Sequence, residues 1–258
     1  MDARTMRLLA RSMALLLLAA AVGCGAWYSR YGIADEKELH SFEAVPKLIE
    51  ALEHGNCYDT LRAAEAIQRI GEQARSAFYA LERALRRNDC NPRQRAAVAR
   101  ALGRLGRAGF APLQQALRKK DIEMRRLAVI GLGVTHHRRE LAVELLAAKL
   151  GSRDPFDRQA RPAAFAALAE QGPAARPAIS RLVQQLGQLE WRWPAIDCLL
   201  AIGHPAPEAL AALERLSRTV RDPEQRQRLR AAYDRLRGEK ADAKPPAADS
   251  ARPSGGGT

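Results

Sequence analysis

Apolar residues recur along most of this chain at intervals of three and four, the spacing that places them on one face of an α-helix. The interval is clear in two segments: Val45, Leu48, Ile49 and Leu52, and then Phe110, Leu113 and Leu117. Each such segment is followed by a second one in which Ala fills most of the apolar positions, as in residues 95–102. Because Ala favours helices and small side chains let helices approach closely, the pattern predicts helices packed in pairs.

The Ala-rich segment returns with a regular period. The segment consists of an Arg, then small apolar residues at helical spacing, then a helix end that contains Gly. It occurs in residues 61–71 and again in residues 95–106. Weaker copies end near His136, Gly172, Gly203 and Arg237. The steps between successive ends are 35, 30, 36, 31 and 34 residues, a period typical of repeat proteins in which each hairpin stacks on the next. The sequence therefore predicts about six antiparallel helix pairs between residues 41 and 237.

Turn residues mark the helix boundaries inside each period. Between the two helices lies an acidic residue or Asn, often before Pro, as in Asn91-Pro92, Asp154-Pro155 and Asp222-Pro223. Asp or Asn can cap the second helix, and Pro at its first position loses no hydrogen bond. Four glycines stand where the second helix should end in a left-handed residue: Gly71, Gly106, Gly172 and Gly203.

This arrangement resembles the HEAT-repeat family of α-solenoids, including its short bacterial variety. The matching motif is an Asp in the turn followed by Arg: Asp59 and Arg62, Asp121 and Arg125 or Arg126, Asp154 and Arg158, Asp222 and Arg226. The resemblance implies an all-α fold, a right-handed α-solenoid, and a ladder of Asp–Arg hydrogen bonds along the stack. The fifth repeat departs from the motif, since residues 188–193 contain no Asp.

The N-terminus has the features of an export signal. Three Arg residues precede an apolar run over residues 13–22, which is half of the ~20 residues that a membrane-spanning helix needs. Small residues then lead to Cys24, and this resembles a bacterial lipoprotein signal in which Cys24 receives lipid, although Ala21 stands where Leu is usual. Residues 1–23 are therefore predicted to be a signal peptide or a membrane anchor, and residues 24–40 a tether.

Two alternatives for the N-terminus remain open at this stage. The first is an uncleaved anchor, in which Trp27, Tyr28 and Tyr31 would lie at the membrane interface. The second is a buried N-terminal helix. The lipoprotein and the uncleaved anchor predict the same outcome: an exported protein, in the bacterial periplasm or cell envelope, that is tethered to a membrane.

Composition and charge indicate a disordered tail and a surface that could bind a partner. The chain has 258 residues and is 47% apolar, which excludes general disorder, but residues 238–258 hold no large apolar side chain and are predicted to be a disordered tail. Lys and Arg number 42 against 29 acidic residues, a net charge of +13. The excess gathers at the turns between paired helices, which a solenoid places along one edge.

This predicted edge suggests attachment to a protein or to an anionic membrane surface. The residues predicted to contact the partner are Arg118, Lys119, Arg125, Arg126 and Trp191. The competing interpretation is that the Asp–Arg ladder uses several of these arginines. A second function, a cytosolic nucleic-acid binder, agrees with the pI near 10.2, but the export signal and the mixed charges on the second helices argue against it.

No catalytic constellation accompanies the repeats. The five His residues have no partners at metal-binding spacing, and there is neither a nucleophile elbow nor a phosphate-binding loop. The adjacent pair His136 and His137 is interpreted as a helix end, where the dipole favours a positive charge. The sequence therefore predicts a protein that is not an enzyme and that has neither a metal site nor a cofactor.

Two cysteines occupy equivalent turns. Cys57 and Cys90 lie 33 residues apart, so stacking should place them side by side. Both a disulfide and two free thiols are open at this stage, and a disulfide would require an oxidising compartment. Cys198 lies among apolar residues and is interpreted as a small buried side chain.

Overall fold

The computed structural model describes residues 27–87 and 89–238, and all regular elements in these two stretches are helical. A helical turn at residues 27–30 comes first. The α-helices then follow as α1 (Glu36–Leu39), α2 (Val45–His54), α3 (Cys57–Ile70), α4 (Phe78–Leu85), α5 (Pro92–Arg104), α6 (Arg107–Ala116), α7 (Ile122–Gly133), α8 (Arg139–Leu150), α9 (Pro155–Gln171), α10 (Ile179–Gln185), α11 (Arg192–Ile202), α12 (Pro207–Thr219) and α13 (Pro223–Arg237). The predicted all-α class is confirmed.

From α2 onward the helices form consecutive pairs, as the period predicted. The chain divides into two compact units, Met1–His204 and Pro205–Thr258. In the first unit the second helices of successive pairs stack on one another: α3 on α5, α5 on α7, α7 on α9, and α9 on α11. This stacking makes the fold an α-solenoid. In the second unit α12 and α13 pack together around the buried side chains of Leu213 and Leu229.

Side chains cap the second helices, as predicted for Asn91, Asp154 and Asp222, and Asn56 does the same although it was not among the predicted caps. The side chain of Asn56 accepts hydrogen bonds from the backbone of Tyr58 and Asp59, and Asn91 accepts two at the start of α5 in the same way. Asp154 and Asp222 cap α9 and α13. Each cap satisfies N–H groups that a helix start would otherwise leave unpaired, which is why the helices begin at these residues.

The predicted glycines all have positive φ, but only Gly203 adopts the left-handed helical conformation. Gly71, Gly106 and Gly172 combine φ values of 72°, 63° and 56° with ψ values of −139°, −127° and −132°. This backbone region is open to Gly and strained for other residues. The difference arises because the chain enters another helix directly at each of these three glycines. Gly71 and Gly172 begin the 3-10 helices Gly71–Ala77 and Gly172–Ala178, and Gly106 precedes α6.

Glycine also permits direct backbone contact between second helices. A Cβ atom placed on Gly103 of α5 would lie 2.0 Å from the carbonyl oxygen of Gly131 in α7. A Cβ atom on Gly131 would in turn lie 2.6 Å from the carbonyl oxygen of Ala99. Helices α5 and α7 can therefore pack at this distance only because both positions lack a side chain.

We expect Gly103→Ala to destabilise the protein, although Gly to Ala inside a helix ordinarily stabilises it by up to about 1 kcal/mol. The added methyl group meets backbone rather than a flexible side chain, so α5 and α7 must move apart. Urea denaturation should show a loss of about 2–3 kcal/mol in the free energy of unfolding. Gly187→Ala is the matched control because the closest atom to its added Cβ lies 4.0 Å away. Equal stability of the two variants would contradict this account of the interface.

The folded body begins earlier than predicted. The rings of Trp27 and Tyr31 are buried, the guanidinium carbon of Arg62 lies 5.0 Å from the centre of the Trp27 ring, and the Tyr31 hydroxyl donates to Asp59 over 3.1 Å. Residues 27–40 therefore belong to the folded body, which corrects the tether predicted for residues 24–40 over this stretch; residues 24–26 lie outside the described residues. Because both rings are buried inside the protein, Trp27 and Tyr31 cannot lie at a membrane interface as the uncleaved-anchor alternative predicted.

The remaining N-terminal and C-terminal predictions lie outside the described residues. These are the signal or anchor at residues 1–23, the lipidated Cys24, and the tail from residue 239 onward. Within residues 27–87 and 89–238, none of the helices combines the length and the apolar character needed to cross a bilayer.

Candidate binding edge

The turns that join the first helix of a pair to its second helix share one edge of the first unit, because the second helices stack in register. Six exposed cationic side chains stand at or beside three of these turns, and together we call them the basic edge: Arg93, Arg118, Lys119, Lys120, Arg153 and Arg158. Within the described residues, none of the six forms an ion pair. The charge at this edge is therefore available to a partner.

The densest part of the basic edge is the turn between α6 and α7. Arg118, Lys119 and Lys120 follow one another there, directly after the end of α6. The nearest acidic residue in sequence, Asp121, is engaged as the cap of α7 and accepts a hydrogen bond from the backbone of Met124 over 2.9 Å. The side chains of all three cations are exposed, and the partner contact predicted for Arg118 and Lys119 stays a prediction.

Arg125, although predicted to contact the partner, is buried inside the stack. One terminal nitrogen of its guanidinium group lies 2.7 Å from Asp154 and 2.7 Å from Asp157, both in the next pair. Lys149 reaches the same Asp157 over 3.0 Å. These ion pairs neutralise the charge of Arg125. The hydrogen bond that Arg125 donates to Asp154 lowers the pKa of the Asp154 carboxyl group. The prediction for Arg125 is corrected: this side chain joins the third pair to the fourth.

The Asp–Arg ladder implied by the resemblance is present at this junction and differs elsewhere. Asp59 accepts hydrogen bonds from Arg30 and Tyr31 rather than from Arg62. Asp222 caps α13 through the backbone of Glu224. In these two repeats the carboxylate of the turn Asp accepts hydrogen bonds from other groups of the described residues, and the side chain of the Arg that the motif predicts as its partner is not among them.

A different role for Arg recurs in the second helices, and the sequence analysis did not identify it. Near the start of these helices an Arg donates to a backbone carbonyl of the turn before it or of the first helix. The pairs are Arg95 to Leu85, Arg125 to Lys119, Arg161 to Ser152, Arg192 to Leu186 and Arg226 to Val220. The signal in the sequence is the regular recurrence of Arg near the start of the second helix, and of these five residues Arg125 was predicted to contact a partner instead.

Trp191 is also buried, and its predicted partner contact is corrected. Its ring stacks on Phe165 with a centroid distance of 5.7 Å, and the guanidinium carbon of Arg161 lies 5.3 Å from its centre. The aromatic ring therefore fills the space between two pairs.

Arg126 occupies an intermediate position. It is partly exposed and makes two hydrogen bonds of 2.7 Å to Glu123, which lower the pKa of that carboxyl group. Of the five residues predicted to contact a partner, Arg118 and Lys119 are therefore the ones left exposed and without an ion pair.

Cys57 and Cys90 are joined by a disulfide with their Cα atoms 5.4 Å apart. The bond connects the turn of the first pair to the turn of the second and so lies beside the basic edge. With Asp89 they make up the one group of three close metal-ligand side chains in the described residues, but the two sulfur atoms are bonded to each other. Cys198 is buried, and burial raises the pKa of its thiol to about 12.

The second helices carry mixed charges, as predicted. Arg100 pairs with Glu170 over 2.5 Å, across two repeats. His136 lies in the loop after α7, and burial together with the nearby Arg104 lowers its pKa. This direction is the opposite of the dipole effect expected for a helix-end histidine, because loss of solvent and then the positive charge of Arg104 both disfavour the protonated ring.

One comparison with known proteins, a match to a family profile, agrees with the repeat architecture. Residues 45–133 match the sequence profile of HEAT repeats. No curated protein matches the chain. Among solved structures, one match is the crystal structure of an engineered protein from a structural genomics consortium. It is 20% identical, the alignment covers 76% of this chain and 97% of that chain, and the TM-score is 0.42.

Proposed function

We propose that this protein is a non-catalytic scaffold, tethered to a membrane of the cell envelope, that docks an acidic protein through its basic edge. The observation that carries this proposal is the set of exposed cations without ion pairs at the turn between α6 and α7. Proteins built from HEAT repeats are generally interaction scaffolds, and residues 45–133 match these repeats. An edge of like charge attracts a partner of opposite charge and orients it on approach.

The tethered location rests on the signal-like N-terminus and agrees with two features of the folded body. The disulfide between Cys57 and Cys90 suits an oxidising compartment such as the periplasm. Only Gly25 and Ala26 separate Cys24 from the buried ring of Trp27. A chain of three residues spans at most about 11 Å, so lipid on Cys24 would hold the first helix pair close to the membrane.

The experiment is crosslinking in intact bacterial cells, with mass spectrometry of the captured proteins. Three variants are compared with the wild type: Cys24→Ser, the triple reversal Arg118→Glu, Lys119→Glu and Lys120→Glu, and a control reversal at the opposite edge. We expect Cys24→Ser to leave the membrane fraction. We expect the first triple variant to lose its acidic partner at least about tenfold, since several charge contacts are reversed at once.

The control carries Arg75→Glu, Arg107→Glu and Arg176→Glu. These three exposed arginines lie where second helices connect to the following pair, and the change in net charge is the same. Partner capture that is unchanged in the first triple variant, or lost equally in the control, would rule out the basic edge. Wild-type protein in the soluble fraction would rule out the tether.

A further inference from the structure

A slot opens beside the basic edge, between the first helices of the second and third pairs. It has a volume of about 100 Å³. Its walls are apolar and come from α4 to α7: Leu85, Leu102, Leu113, Ala116 and Met124. Leu102 and Leu113 are themselves buried, so the slot reaches down to the core between the two pairs.

The packing of the second helices explains why this slot exists. Gly103 and Gly131 bring the backbones of α5 and α7 into direct contact. The first helices α4 and α6 do not approach each other this closely. Each pair therefore acts as a wedge that is narrow at its second helix, and the gap remains at the first helices.

The mouth of the slot carries positive charge. Lys119 lines it, and Arg118 and Lys120 are the adjacent residues of the same turn. Arg86 and Glu82 also line the slot and pair with each other over 2.6 Å, so together they add no net charge and the excess comes from the turn. An apolar floor with cations at its rim favours a ligand that has an apolar centre and acidic flanks.

We infer that this slot receives one aliphatic side chain from an acidic segment of the docked protein. The inference rests on the proposed function and gives the partner's segment a recognisable chemistry. A volume of about 100 Å³ corresponds to roughly three water molecules of liquid, which suits a Leu, Ile or Val side chain. A lipid acyl chain is far longer than this space. Burial of one such side chain supplies affinity, while the surrounding cations select the acidic flanks.

The test uses a displayed library of twelve-residue peptides with Asp and Glu at all positions except one randomised central position. The wild-type protein should enrich peptides with Leu, Ile or Val at the centre at least about tenfold over Ser and Gly, as expected for burying one aliphatic side chain. Ala116→Leu fills the slot and should abolish this preference while binding of acidic peptides persists. Gln115→Trp, at an exposed position of the rim, covers the slot without altering the core and should act in the same way.

The outcomes separate this inference from the proposed function. Binding of the acidic library with no preference at the centre, or a preference that survives in both variants, would overturn the slot alone. The triple variant that replaces Arg118, Lys119 and Lys120 with Glu should bind the acidic library more weakly than the wild type does. Equal binding would overturn the basic edge itself. Binding of phosphatidylglycerol vesicles in place of peptides would overturn both, because the edge would then contact lipid.

Discussion

Replacing Cys57 and Cys90 together with Ser is expected to lower the free energy of unfolding by about 3–4 kcal/mol. The disulfide closes a loop of 33 residues, and without it the unfolded chain gains the conformational freedom that this closure removes. It also holds the turns of the first two pairs together. Chemical denaturation followed by circular dichroism measures the change.

Dithiothreitol provides the internal control for this prediction. The reductant should destabilise the wild type by a similar amount and leave the double Ser variant unchanged. Cys198 does not interfere, because its thiol is buried and donates to the carbonyl of Phe165 over 2.8 Å. A wild type that responds no more than the variant would show that the two thiols are not bonded in solution.

Replacing Asp157 with Ala is expected to lower the free energy of unfolding by about 3 kcal/mol. Asp157 is buried between Arg125 and Lys149, which lie 2.7 Å and 3.0 Å from its carboxylate. Its removal leaves one buried guanidinium group and one partly buried ammonium group short of a counter-charge, and Asp154 can compensate only in part. The variant should unfold at lower urea concentration with a similar m-value.

Two comparisons isolate the cause. Glu214→Ala removes the exposed partner of Arg218 and should change stability by less than about 1 kcal/mol, since surface ion pairs contribute little. The double variant Arg125→Met and Asp157→Leu removes two of the buried charges and should recover part of the loss. A single Asp157→Ala variant as stable as Glu214→Ala would contradict the assignment of this network as the joint between the third and fourth pairs.

These two joints bear on the binding edge as well as on stability. The disulfide holds the turns of the first and second pairs, and the Arg125 network holds the third pair to the fourth. The basic edge lies on the turns of the second, third and fourth pairs, and Arg95 pairs with Glu123 between the second and third, so the positions of its cations are restrained. A partner can then contact several of them without first ordering the scaffold.

The helix pairs were predictable because their signals are local. Asn56, Asn91 and Asp154 cap helices from within two or three residues, and the apolar spacing lies within single helices. The same reasoning failed for the predicted tether, because nothing local in residues 27–31 shows that Asp59 and Arg62 will hold their side chains.

The residues predicted to contact a partner also show where local sequence signals stop being sufficient. Arg118 and Arg125 lie seven residues apart in one basic stretch, and the sequence alone treats them alike. Arg118 follows the end of a helix and points to solvent, whereas Arg125 faces Asp154 and Asp157 of the next pair. Which cation remains available thus depends on groups about thirty residues away.

The amino-acid sequence by itself determined the helical class, the paired repeats, the caps and the accumulation of positive charge at the turns, because each of these depends on spacing along the chain. Only the tertiary structure decided which arginines form ion pairs inside the protein and that Trp191 is buried. It also decided that Cys57 and Cys90 meet and that a slot remains between α4 and α6. Those features depend on how closely neighbouring pairs approach, and that distance is set by the backbone contact between Gly103 and Gly131 and by charges brought together across repeats.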